Sequence, residues 1–128
     1  MSNEPSADLA ADLGAGLSGE DAKLVTLARA TRARARAAEG AAVRDLDGRT
    51  YAAASVRLEH LTLSALEAAR AGCDGHRDAD LEAAVVLVDG DPAEVQVDVR
   101  AAGDFAGAGV PVLVGDRAGR LHTRTTTG

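Results

Sequence analysis

The chain has 128 residues, a formal net charge of −6, and 46% hydrophobic residues with only 2% aromatic, so its core must be built from Ala, Val and Leu, with Tyr51 and Phe105 as the large rings. This length fits one domain around one core, and the acidic balance repels a phosphate backbone, which excludes nucleic acid as a partner. No apolar run reaches the roughly 20 residues of a bilayer span, and Glu4, Asp8 and Asp12 stand where a signal peptide carries basic residues; both argue against a membrane protein and for the cytoplasm.

Residues 1–17 are rich in Ser, Asp, Gly and Ala, with three isolated leucines, and read as a flexible tail. Ser18 opens a capping box with Asp21, predicting a helix whose apolar stripe is Leu24, Val25, Leu27 and Ala28. Arg29, Arg32 and Arg36 recur on another face, and Gly40 is placed to stop the helix. Asp47-Gly48, between two short apolar runs, predicts antiparallel strands joined by a type I′ turn. Leu61, Ala65, Leu66 and Ala69 then share one helical face, with Thr62 as cap and Gly72 as stop. The run Val85 to Val88, closed by Asp89-Gly90, predicts a strand covered on both sides.

Residues 91–107 carry two conflicting signals. Val95, Val97 and Val99 alternate as in a strand, whereas Asp91-Pro-Ala-Glu94 opens like a helix. A parallel pairing of Val85–Val88 with Val110–Val114 requires a long crossover, usually helical, and a helix is expected here. Asp116 to Gly119 reads as a turn into a last short strand near Leu121, and the chain ends in a frayed tail over residues 123–128. The order is that of an α/β layer structure with a mixed sheet.

Asp47-Gly-Arg-Thr-Tyr51 with Ser55-Val56, the segment Leu61-Thr-Leu-Ser-Ala-Leu-Glu67, and Pro111 to Gly119 resemble the hairpin, first zinc-bearing helix, and fourth strand and turn of the cytidine deaminase family, over roughly residues 18–122. The resemblance implies a three-layer fold, a mixed sheet of four to five strands with helices on both faces, forming a single domain at 18–122. It also implies a zinc ion held by a Cys or His of that helix and two Cys of a later segment, with a Glu two residues after the first ligand to shuttle the proton. Here Ser64 falls at the first ligand and Leu66 at the Glu, or, one residue along, Ala65 and Glu67. Asp91-Pro-Ala-Glu-Val95 stands where the paired cysteines belong, and Cys73 is the one cysteine of the chain. The family's substrate-binding Asn and Glu are Ser55 and Arg57 here.

Other candidates are read as structural. His60, His76 and His122 are the imidazoles, and His76 with Asp78 is the nearest approach to a metal pair, in a polar loop. Glu67 is either a retained general acid or base or a surface residue paired with Arg70. Cys73 at a helix C-terminus is disfavoured as a nucleophile, and Arg29, Arg32, Arg34 and Arg36 form a solvated face. No glycine-rich nucleotide loop is present.

These observations lead to a degenerate deaminase-like protein without zinc-dependent activity, acting by binding or assembly. It is expected to need no cofactor and to form a dimer or tetramer, with a nucleoside or protein as possible partner. The alternative is an active cytidine deaminase, a zinc hydrolase converting cytidine to uridine, with unorthodox ligands.

Overall fold

The computed structural model describes residues 17–73, 81–104 and 108–128. The expected tail up to residue 16, the polar loop with His76 and Asp78, and Phe105 lie outside the described residues.

Helix α1 (Gly19–Ala35) starts where the sequence places it, with the Ser18 hydroxyl accepting from the Asp21 amide at 3.0 Å. The Asp21 carboxylate does not complete a box; it accepts from Arg44 at 2.9 Å. The helix stops earlier than expected, because Arg36 takes the left-handed conformation (φ 53°) and the Arg36 and Ala37 amides close on the Ala33 and Arg32 carbonyls. Gly40 is therefore not the stop. It lies in strand β1 (Glu39–Asp45), where a Cβ would come within 2.5 Å of the Ala28 carbonyl oxygen and 2.6 Å of Arg32 Cβ, so its missing side chain sets how closely helix and strand approach.

Strand β2 (Thr50–Ala54) pairs antiparallel with β1, as expected, but the turn differs. The Gly48 amide donates to the Asp45 carbonyl and the Asp45 amide to Arg49, with Gly48 at φ 86° and Asp47 outside the positive-φ region. This is a three-residue loop ending in a glycine bulge rather than a type I′ turn. The Asp45 carboxylate selects it by accepting from the Asp47 and Arg49 amides, both at 2.9 Å. Asp116 does the same for the Ala118 and Arg120 amides on either side of Gly119, at φ 91°, so one Asp-x-x-Gly-Arg device makes both hairpins of the five-stranded sheet.

After Ser55 the chain forms a small hairpin of β3 (Val56–Arg57) and β4 (Thr62–Leu63), separate from the main sheet. Leu61 and Thr62 thus belong to this hairpin, not to the second helix. Helix α2 (Ala65–Gly72) begins at Ser64, whose hydroxyl accepts from the Glu67 amide while the Glu67 carboxylate accepts from the Ser64 amide. Ser64 outcompetes Thr62 for the cap position because only Ser64 has a carboxylate three residues on.

Strand β5 (Leu81–Val88) is buried except at Glu82. The crossover after it is not the expected helix. Residues 91–94 form one turn, 95–99 are irregular, and a four-residue helix, α3 (Arg100–Gly103), follows. The period of two prevails: Val95, Val97 and Val99 pack on the core while Gln96 and Asp98 are exposed. Strand β6 (Pro111–Asp116) runs parallel to β5, and β7 (Leu121–Thr126) antiparallel to β6. The C-terminus is ordered where a frayed tail from residue 123 was expected. Thr127 is buried, and its hydroxyl and carbonyl accept from the Val110 and Gly109 amides at 3.0 and 2.8 Å.

The five strands stand in the order β2-β1-β5-β6-β7 and carry one apolar cluster on each face. Val43, Val86, Val112 and Val114 face α2 through Ala65, Leu66 and Ala69, whereas Ala42, Val85, Leu87 and Leu113 face α1 through Leu24 and Ala28. Alternation along each strand feeds the two faces in turn, giving the three layers and the mixed sheet expected from the sequence.

Candidate functional site

The chain reverses from α1 into β1 over residues 36–38, β2 leaves the sheet at Ser55, and α2 starts at Ser64. These three events occur side by side and enclose a cleft of about 640 Å³, lined by residues 35–39, 55–57 and 62–64. It lies at the carboxyl end of β5, where Glu39 pairs with Val88.

Two hydrogen bonds fix its floor. The Glu39 amide donates to Ser55 Oγ at 3.1 Å, and the Glu39 carboxylate accepts from the Ala65 amide at 3.1 Å. A carboxylate against the first amides of a helix is favoured by the partial positive charge there. Together with the Ser64 and Glu67 box, this commits the acceptors nearest the start of α2 to its own backbone.

Of the residues singled out from sequence, Ser55, Arg57 and Ser64 line the cleft. Ala65 and Leu66 are buried at 0% and 1% exposure, with Leu66 in the core cluster under α2. Glu67 is half-buried and caps the helix rather than pairing with Arg70. Arg70 is itself buried, donating to Cys73 Sγ at 3.2 Å and to the Asp104 carbonyl. Cys73 is fully buried and donates back to the Arg70 carbonyl. His60 is exposed at the β3–β4 tip beside Glu59, and His122 lies 3.9 Å from Asp116 on the β6–β7 hairpin. Among the described residues no three His, Cys, Asp or Glu are grouped so as to hold a metal ion. No helix among them is long and apolar enough to cross a membrane.

Sequence reasoning missed Arg36, Glu39, Thr62 and Leu63 as cleft residues. The first two were hidden by placing the helix end at Gly40, the others by placing the start of α2 at Thr62. The arginines of α1 also divide: Arg29, Arg34 and Arg36 are exposed, whereas Arg32 is half-buried, donating to the Ala37 carbonyl at 2.9 Å and lying 4.0 Å from Asp89.

No curated protein matches the chain. A family model described as cytidine deaminase-like matches residues 17–119, from the cap of α1 to the β6–β7 turn, and so takes in both helical layers, the cleft and four of the five sheet strands. On that match, and with the mixed sheet between α1 and α2, the chain belongs to the cytidine deaminase-like family.

Proposed function

We propose that the protein is a non-catalytic member of this family, a cytoplasmic pseudoenzyme that binds a small ligand in the cleft and self-associates, without zinc-dependent deamination. The state of the helix start carries this reading. Ser64 and Glu67 are locked in a reciprocal capping box and Leu66 is buried, so the positions that the resemblance assigns to the first ligand and the proton shuttle offer no thiolate, no imidazole and no free carboxylate. These residues do not fit a zinc ion, whose catalytic sites need three protein ligands and an open position. The crossover adds no thiolate, since the single Cys73 is buried at the far end of α2 with its sulfur bonded to Arg70.

The decisive experiment is elemental analysis of tag-free protein beside an assay for ammonia release from cytidine. The expected result is no stoichiometric zinc and no turnover. Near-stoichiometric zinc with turnover overturns the proposal in favour of an active deaminase with unorthodox ligands. Sedimentation reads the assembly, and a monomer at all accessible concentrations removes that part of the proposal.

A further inference from the structure

We infer that the cleft receives the dianionic phosphate group of a small phosphomonoester, held between Arg36 and Arg57. This rests on the reading of the cleft as the ligand site of a non-catalytic domain. Arg36 is the left-handed residue that ends α1 and Arg57 lies on β3, so two separate elements each bring one arginine to the lining of the same cleft. Both are exposed and neither has a carboxylate within 4.0 Å among the described residues; Arg29, Arg34, Arg49 and Arg124 also lack one but do not line the cleft, so what distinguishes Arg36 and Arg57 is that two such arginines meet at one cleft. An arginine without such a partner keeps its full fork of donors for a ligand.

The hydroxyls add to this donor excess. Ser55 Oγ already accepts from the Glu39 amide and Ser64 Oγ from the Glu67 amide, which leaves the proton of each to donate. Glu39, the carboxylate on the cleft wall, is tied to the Ala65 amide. Cations on two elements suit a group with two charges and three terminal oxygens better than a single carboxylate, which one arginine can satisfy. The net charge of −6 repels a polyanion but is a small barrier to one phosphate at a locally basic cleft. A volume of about 640 Å³ suits a small molecule, and Ala35, Val56 and Leu63 leave an apolar wall for its uncharged part.

Matched pairs test the inference by calorimetric titration of the tag-free full chain: cytidine 5′-monophosphate against cytidine, and ribose 5-phosphate against ribose. The phosphorylated member of each pair is expected to bind at least about tenfold tighter, with an advantage that shrinks in high salt. The ratio should fall towards unity in Arg57→Gln and Arg36→Gln, with melting curves that match the wild type. Inorganic phosphate separates the two sources of the chemistry: weaker binding than the esters supports an ester ligand, and equal binding overturns it in favour of free phosphate. Equal affinities within both pairs, no binding by any probe, or an advantage that survives in both variants overturns the inference. Failure of the parent reading is seen separately, as ammonia released from cytidine by zinc-loaded protein whatever the phosphate ratio.

Discussion

Replacing Gly40 by alanine measures how tightly α1 lies on the sheet. The added Cβ would stand 2.5 Å from the Ala28 carbonyl oxygen, 2.6 Å from Arg32 Cβ and 3.0 Å from the Arg32 amide nitrogen. Two of these are helix backbone atoms held by the helix's own hydrogen bonds, so no side chain can swing aside. Relief requires α1 to lift from β1 by roughly 1 Å, and a close-packed core resists such a shift. Leu24 and Ala28, both fully buried, would lose contact with Val85 and Leu87 beneath them. Overpacking of this kind costs roughly 1–3 kcal/mol, partly offset by about 0.5–1 kcal/mol from removing a strand glycine. The net expectation is a loss of about 1.2 kcal/mol, or roughly 4–5 °C in melting temperature for a chain of this length. Calorimetry and urea titration with an unchanged m-value would measure it. Gly72→Ala is the control: its Cβ meets nothing within 4 Å at the end of α2, and stability should hold or rise by up to about 1 kcal/mol. A Gly40→Ala protein that melts with the wild type would refute the close approach.

Three further outcomes are expected. Glu67→Ala should lose about 1 kcal/mol in urea titrations because it breaks the capping box, and Glu67→Gln should keep most of it since an amide oxygen can still accept from the Ser64 amide; a neutral alanine variant would return Glu67 to a plain surface role. A chelator should leave the melting temperature unchanged, whereas a drop of several degrees would reveal a metal that contributes to folding. Bonds from the Arg100 side chain and amide lower the Asp98 carboxyl from 3.8 to about 2, so its contribution is present above the ordinary carboxylate range and is lost as pH falls through about 2; a carboxyl titration by NMR with a midpoint near 4 would show that the pair does not form in solution.

The sheet was legible because burial on two faces writes itself into the strands. Val85-Val-Leu-Val88 has no polar position, and in the structure alternate residues of that run enter the α1 and α2 clusters. The ends of the elements were harder to read. Gly40 suits a helix stop by propensity, but the contact that fixes it is tertiary, and Arg36 takes the left-handed position that glycine usually fills. At residues 91–94 the cap signals are local and were obeyed, since the Asp91 carboxylate accepts from the Ala93 amide, but one turn is all they support. From Val95 onward alternate burial takes over, and Val95, Val97 and Val99 pack against the core cluster on the α2 face. The cleft was half legible: Ser55, Arg57 and Ser64 came from the family pattern, whereas Arg36 and Glu39 entered it through the earlier end of α1, and Thr62 and Leu63 through the later start of α2.

The same cleft also shows how the fold can hold without a metal under the proposed function. Glu39 joins three elements, donating its amide to Ser55, accepting the Ser55 amide at 3.0 Å, and receiving the Ala65 amide on its carboxylate. Neutral bonds contribute about 0.5–1.5 kcal/mol each and a charged one about 1.5–3 kcal/mol, so the set falls well short of the roughly 10–16 kcal/mol of a structural zinc. A hydrogen-bonded tether of this size positions α2 but cannot by itself drive folding. Cohesion must then come from the sheet, where Val43, Val85, Val86, Leu87 and Val112 are at most 1% exposed and the helices sit close because alanine and glycine face them. Most of the stability therefore resides in residues that do not touch the cleft, and the two cleft arginines contribute little to it. On this division Arg36 and Arg57 can change the ligand without cost to the fold, whereas Gly40 cannot change at all without moving the cleft wall that α1 carries.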